Sequence, residues 1–203
     1  PTYTNPKAEL FARYRYRFPK ALQERYRRHQ DATRIALESQ FTPDTAELLE
    51  AEGFSRDPLS EEAPEIHPHP QIVHKYTSKV LFLATSECPV YCRYCTRKRR
   101  TLLQGEKSEP DLEGAKSYVN KNTAINEVIF SGGDPFMLPN DKFFTMAESF
   151  AAVPHITFLR FHTRTPTTLP KRFKTNTLQE LSNFTDEYPG LIFTIVLHIN
   201  HPA

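Results

Sequence analysis

The sequence predicts an α/β protein: about four βα units of a partial TIM-type barrel behind an N-terminal helical segment. Three observations carry this. Past residue 75, short apolar runs alternate with amphipathic helical stretches. The runs are short and apolar, as expected of a parallel sheet covered by helices. The units follow one another without a reversal, which suits an α/β barrel or part of one.

The elements follow in order. Residues 7–39 read as helical: KAELFARYRYRF, then KALQERYRRHQDATRIALES after Pro19. Residues 42–50 read as a short helix, with Thr42 as N-cap and Pro43 at its first position. DPLSEEAPEIHPHPQ, with its prolines, reads as an extended connector. Residues 1–74 therefore form a helical segment with a Pro-rich connector, and 75–203 form the barrel portion. In that portion 79–85 (KVLFLAT), 126–132, 156–163 and 191–199 read as strands, and 111–122, 140–152 and 175–188 as helices. The chain opens on PTYTNPKAEL without a Met and stops after LHINHPA, so a longer protein is the expectation.

Composition narrows the class. The chain has 203 residues, 38% hydrophobic and 25% charged, as a globular domain does. It contains neither an apolar run of about 18 residues nor a basic-then-apolar leader, so a cytoplasmic protein with no membrane partner is expected. A net charge of +2 favours no polyanion, and nucleic acid is not an expected partner. The charge is nevertheless segregated. Residues 13–28 carry Arg13, Arg15, Arg17, Lys20, Arg25, Arg27 and Arg28 against Glu24. Residues 44–65 carry Asp44, Glu47, Glu50, Glu52, Asp57, Glu61, Glu62 and Glu65 against Arg56. Two solvated, mutually attractive surfaces are expected; a subunit-contact arm or a nucleic-acid patch in RYRYRF are the alternatives.

The chemistry is concentrated in CPVYCRYCTRKRR. Cys88, Cys92 and Cys95 are the only three cysteines, spaced C-x3-C-x2-C. They follow the 79–85 strand, at the end where α/β barrels carry their sites. An odd count in a cytosolic chain argues against disulfides. Structural zinc needs a fourth ligand, which one of eight histidines could supply, and that reading stays open. Iron–sulfur clusters normally take four cysteines. Three would leave one iron open to bind something that reacts.

C-x3-C-x2-C with Tyr94 before its last cysteine resembles the radical S-adenosylmethionine superfamily. HKYTSKVLFLATSECPVYCRYCTRKRR, EVIFSGGDPFML, HTRTPTTLPKRF and INHP resemble, in order and spacing, the lysine 2,3-aminomutase family over roughly residues 57–202. The resemblance implies a radical S-adenosylmethionine partial barrel whose last units lie beyond Ala203. It implies a 4Fe–4S cluster on Cys88, Cys92 and Cys95, with S-adenosylmethionine on the fourth iron. The nucleotide would lie against Tyr94, against Ser131, Gly132, Gly133 and Asp134, and against His198. Pyridoxal phosphate would sit near Tyr76 and Lys79, where Lys75 and Lys79 replace arginines of the family. Arg97 would clasp the substrate carboxylate, while Arg99 and Arg100 read as surface charge. The reaction implied is a 1,2-amino shift on an amino acid through a 5′-deoxyadenosyl radical. The pyridoxal-binding lysine of the family has no counterpart in this sequence. Free lysine, glutamate, arginine or a lysine presented on elongation factor P are the candidate substrates. Reduced ferredoxin or flavodoxin would donate the electron to a homo-oligomeric enzyme. A radical S-adenosylmethionine enzyme without pyridoxal phosphate and a zinc-stabilised nucleic-acid-binding module are the alternatives. Gly-Gly turn, helix cap, core tyrosine and barrel histidine are the purely structural readings of the same residues.

Overall fold

The computed structural model describes residues 17–49, 52, 53, 55, 57–98 and 110–200. The helix expected over 7–16, the charges Arg99 and Arg100, and the last residues of the INHP motif lie outside them.

One five-stranded sheet organises the chain: β1 (Ile72–Tyr76), β2 (Lys79–Thr85), β3 (Glu127–Gly132), β4 (Phe158–Thr163) and β5 (Ile192–Leu197). Spatial order equals sequence order. β2 to β5 are parallel, and β1 runs antiparallel to β2. Helices α1 (Lys20–Tyr26) and α2 (Asp31–Ser39) precede the sheet; α3 (Leu112–Lys121), α4 (Asn140–Ala151), the single turn α5 (Thr165–Thr168) and α6 (Thr175–Glu187) connect its parallel strands. The sheet is mostly parallel and compatible with a partial βα fold.

The sequence reading starts the sheet at residue 79 and misses β1. Its IVHKY joins β2 through Thr77 and Ser78, with Tyr76 paired to Lys79. That turn lacks the Asn, Asp or Gly that marks a two-residue hairpin. The short helix expected over 42–50 is instead a 3₁₀ turn, Thr45–Leu48. Its cap is Asp44, not Thr42: Asp44 accepts from the Ala46 N–H, and Glu47 reaches back to the Asp44 N–H in a capping box. The Thr42 hydroxyl donates to the Glu38 carbonyl of the preceding helix.

The strands are two-faced rather than evenly buried. On β2, Val80, Phe82 and Ala84 are buried while Lys79, Leu81, Leu83 and Thr85 stay partly open. The buried set joins Val128, Phe130, Leu159 and Phe161 under the helices. Helical spacing in α4 brings Phe143, Met146, Ala147 and Phe150 onto that face. Phe161 stacks between Phe130 and Phe193, with centroids at 4.5 and 4.6 Å. The opposite face carries Lys79, Glu127, Ser131, Arg160 and His162, of which Glu127 and Ser131 are buried and Lys79 stays partly open.

A second apolar cluster joins Leu22 and Tyr26 of α1, Leu37 of α2, Phe41 and Val90. Val90 lies inside the cysteine loop, so the N-terminal segment packs on that loop directly. None of the described helices is long and apolar enough to cross a membrane.

Candidate active site

The site begins where β2 and β3 end. Gly132 has φ of 93°, a left-handed conformation that suits glycine. Gly133 follows where a Cβ would stand 2.3 Å from the Glu87 carbonyl oxygen. That closeness is used: the Gly133 N–H donates to the Thr85 carbonyl at 2.5 Å, and the Asp134 N–H to the Glu87 carbonyl at 2.8 Å. The SGGD turn is thus sewn by its backbone to the residues leading into Cys88.

Asp134 is buried, and its carboxylate ties β3 to β4. It accepts from the Thr163 hydroxyl at 2.8 and 2.9 Å, and from the N–H groups of Arg164 (2.7 Å), Thr165 (3.0 Å) and Phe136 (3.1 Å). Burial raises its pKa, and the hydrogen bonds oppose that rise. The last bond caps the 3₁₀ turn Pro135–Met137, as the structural reading expects.

Cys88, Cys92 and Cys95 share the loop after β2 and carry no disulfide. Each keeps some exposure. The Cys88 thiol is pushed well up, first by its enclosure, then by Asp134 and the other two thiols. Among the described residues, no three His, Cys, Asp or Glu side chains are gathered into a ready metal site. The donor set still fits an iron–sulfur cluster: three soft thiols on one short loop, at a sheet end held by backbone bonds.

Arg164, which the sequence reading quotes only within a motif, is the hub of this loop. Its Nη1 lies 3.1 Å from Cys92 Sγ and also reaches the Tyr94 hydroxyl. Its Nη2 donates to Gln40 at 2.6 Å, and the guanidinium lies 4.8 Å over the Phe41 ring. Tyr94 meets the His198 ring edge-on at 5.7 Å, so these two predicted residues come together. Burial pushes the Tyr94 phenol up, the Cys92 thiol adds to this, and Arg164 opposes it. Burial and then Arg164 push His198 down.

The basic residues of the loop are held from the N-terminal side. Arg93 and Lys98 both reach Glu47, and Arg97 pairs with Glu61 at 2.5 Å. Arg17 donates to the Glu87 carboxylate and the Cys88 carbonyl, each at 2.7 Å. The acidic segment meets the cysteine loop through Glu47 and Glu61. Charge runs show that a segment seeks the opposite sign but not which partner it finds. Glu47 and Glu61 were missed as partners for that reason, and Gln40, a neutral residue outside both runs, carried no such signal.

Tyr76 and Lys79 lie at the other end of β2, roughly 20 Å of strand from the thiols at about 3.3 Å per residue. The hairpin brings them together, with Lys79 Nζ 5.8 Å from the Tyr76 ring centroid. Glu127 then sits between two cations: Lys79 Nζ at 3.7 Å and Arg160 Nη2 at 2.6 Å. The face opposite the core thus has a charged end at Lys79, and the thiols follow its other end in the loop after β2.

These features define an α/β protein with a cluster-type cysteine loop, and comparison with known proteins agrees. Residues 77–185 match the family described as a 4Fe-4S single cluster domain. The L-lysine 2,3-aminomutase of Haemophilus influenzae is 36% identical over 162 residues, which is 77% of this chain and 44% of the relative. That of Buchnera aphidicola is 34% identical over 91% of this chain and 52% of the relative, and that of Escherichia coli 34% identical over 76% and 43%. The chain belongs to the lysine 2,3-aminomutase family. It spans about half the length of the curated relatives it matches.

Proposed function

We propose that this chain is the cluster-bearing part of a radical S-adenosylmethionine, pyridoxal-phosphate-dependent amino acid 2,3-aminomutase built on a partial βα barrel. The observation that carries the reading is the joint between the SGGD turn and the cysteine loop: Gly133 and Asp134 bond through their N–H groups to Thr85 and Glu87. Cys88, Cys92 and Cys95 would hold the cluster. Ser131 to Asp134, Tyr94 and His198 would hold the nucleotide. When bound, cluster and nucleotide supply a 5′-deoxyadenosyl radical, and pyridoxal phosphate supplies the carrier for the migrating amino group.

The chain's own residues bind, orient and exclude water. Arg97, fixed by Glu61, presents a planar guanidinium suited to a carboxylate. Arg164 braces the loop through Cys92, Tyr94 and Gln40. Tyr76 and Lys79 would lie near pyridoxal phosphate, and the family's lysine that carries it has no counterpart in this sequence. Division of the chain at about residue 74, a cytoplasmic setting, homo-oligomerisation and a ferredoxin or flavodoxin donor belong to the same reading. Free lysine is the first substrate to test, because the relatives carry its name.

Anaerobic reconstitution tests this. About four iron and four sulfide per chain, with an EPR signal of the reduced cluster that changes on adding S-adenosylmethionine, is the expected result. Zinc without sulfide would overturn it in favour of a zinc-stabilised module.

A further inference from the structure

Arg164 carries a charge that no carboxylate balances among the described residues. The other described cations in or bonded to the cysteine loop are each paired with an acid: Arg17 with Glu87, Arg93 and Lys98 with Glu47, Arg97 with Glu61. The Arg164 guanidinium instead meets the Cys92 thiol, the Tyr94 hydroxyl and the Gln40 amide oxygen, none of which needs to be an anion. Its Nε is shielded from solvent and has no hydrogen-bond partner among the described residues. A partly buried cation without a counter-charge is costly, so this place gains when negative charge forms beside it.

The cation is also aimed. Arg164 follows β4 directly, and its own backbone is locked: its N–H donates to Asp134 at 2.7 Å, and its carbonyl accepts from the hydroxyls of Thr167 and Thr168 at 2.9 Å each. Gln40 takes Nη2 at 2.6 Å, which leaves Nη1 on Cys92 Sγ at 3.1 Å. A thiol sulfur is a weak acceptor, whereas a thiolate takes a charge-assisted bond.

We propose that Arg164 is a positioning residue for the electron that starts the chemistry: through its N–H···S bond to Cys92 it raises the reduction potential of the cluster. This rests on the cluster reading above. The balance is one electron, taken from a reduced ferredoxin or flavodoxin and received by the iron, with no bond of the chain made or broken. Reduction adds negative charge next to a fixed cation, so the reduced form is favoured; hydrogen bonds to the sulfurs and local charge are among the factors that set such potentials. Gln40 belongs to the N-terminal segment, so that segment reaches the cluster's electronics through one amide.

A redox titration followed by EPR decides the matter, on the anaerobically reconstituted full chain without S-adenosylmethionine. In Arg164→Met the equilibrium constant for reduction should fall about tenfold, a shift of 59 mV to more negative potential for one electron. Arg164→Lys, which keeps the charge and loses the planar fork, should recover part of that shift. Gln40→Leu should move the potential in the same direction by a smaller factor, because its carbonyl still accepts from the Arg93 N–H and only the guanidinium loses its anchor. Iron, sulfide and melting temperature are read on every sample. A merely structural arginine would change these and leave the potential of the assembled clusters where it was, and that result overturns the proposal. So does an unmoved potential combined with weaker binding of S-adenosylmethionine, which would make Arg164 a nucleotide ligand instead. If Arg164→Met takes up no iron, Gln40→Leu carries the test, and an unshifted potential there is equally fatal. Zinc without sulfide in the wild type removes the cluster reading and this inference with it, whereas normal clusters with unmoved potentials remove this inference alone.

Discussion

At the residue scale, Gly133 is the position the backbone constrains most. The Glu87 carbonyl oxygen is 2.3 Å from where a Cβ would stand, and that atom belongs to backbone that cannot swing away. Gly133→Ala must therefore push the SGGD turn off the cysteine loop, breaking bonds of 2.5 and 2.8 Å. Overpacking of this kind costs about 1–3 kcal/mol. Iron incorporation should fall more than global stability does, because the strain lands where the two loops meet. Urea denaturation beside iron analysis would check this, and full incorporation in the variant would refute it. That the SGGD glycines mark a close approach was legible in the sequence; the sequence points to a ligand as the neighbour, and the neighbour at Gly133 in the structure is the Glu87 backbone. Arg164 was not legible as a hub. Its three partners, Gln40, Cys92 and Tyr94, come from two distant segments, and nothing in its own neighbours announces them.

At the scale of elements, the N-terminal segment clasps the cysteine loop through Val90 and through Glu47. Burial alone would raise the Glu47 carboxyl; bonds from Arg93, Lys98 and the Asp44 N–H overcome this and leave it below the usual carboxylate range. A depressed folded pKa gives stability that is present above the unfolded pKa and lost as pH falls through the folded one. The clasp should therefore hold at neutral pH and loosen on acidification below the carboxylate range. Limited proteolysis across a pH series should show cleavage in 42–64 rising first in acid. Glu47→Gln should be loose already at pH 7 and show a flatter profile. Equal protection of both proteins at neutral pH would remove Glu47 from this role. The four parallel strands and three long helices were readable, because each has a short apolar stretch bounded by turn residues or a clean helical stripe. β1, the 3₁₀ turn at Thr45–Leu48 and α5 were not. Each is short, and each owes its form to a pairing or cap that outweighs local propensity.

At the scale of the whole molecule, the described sheet is open. β5 pairs only with β4, so one row of its N–H and C=O groups has no strand beside it among the described residues. Its side chains match that state: Ile192 is 51% exposed, and Ile195, Val196 and Leu197 about 40% each. Ile199 beyond it is 60% exposed. A long apolar edge strand is a template for another chain. Prepared alone, the 203-residue protein should self-associate through β5, and lysine at an edge strand should suppress this. Val196→Lys is expected to move the sedimentation profile toward monomer without lowering the melting temperature, since Val196 lies outside both buried clusters. A monomeric wild type at tens of micromolar would show that the edge is covered by other means. Association that survives Val196→Lys would instead move the contact to another surface, such as the basic residues of α1 and the turn after it.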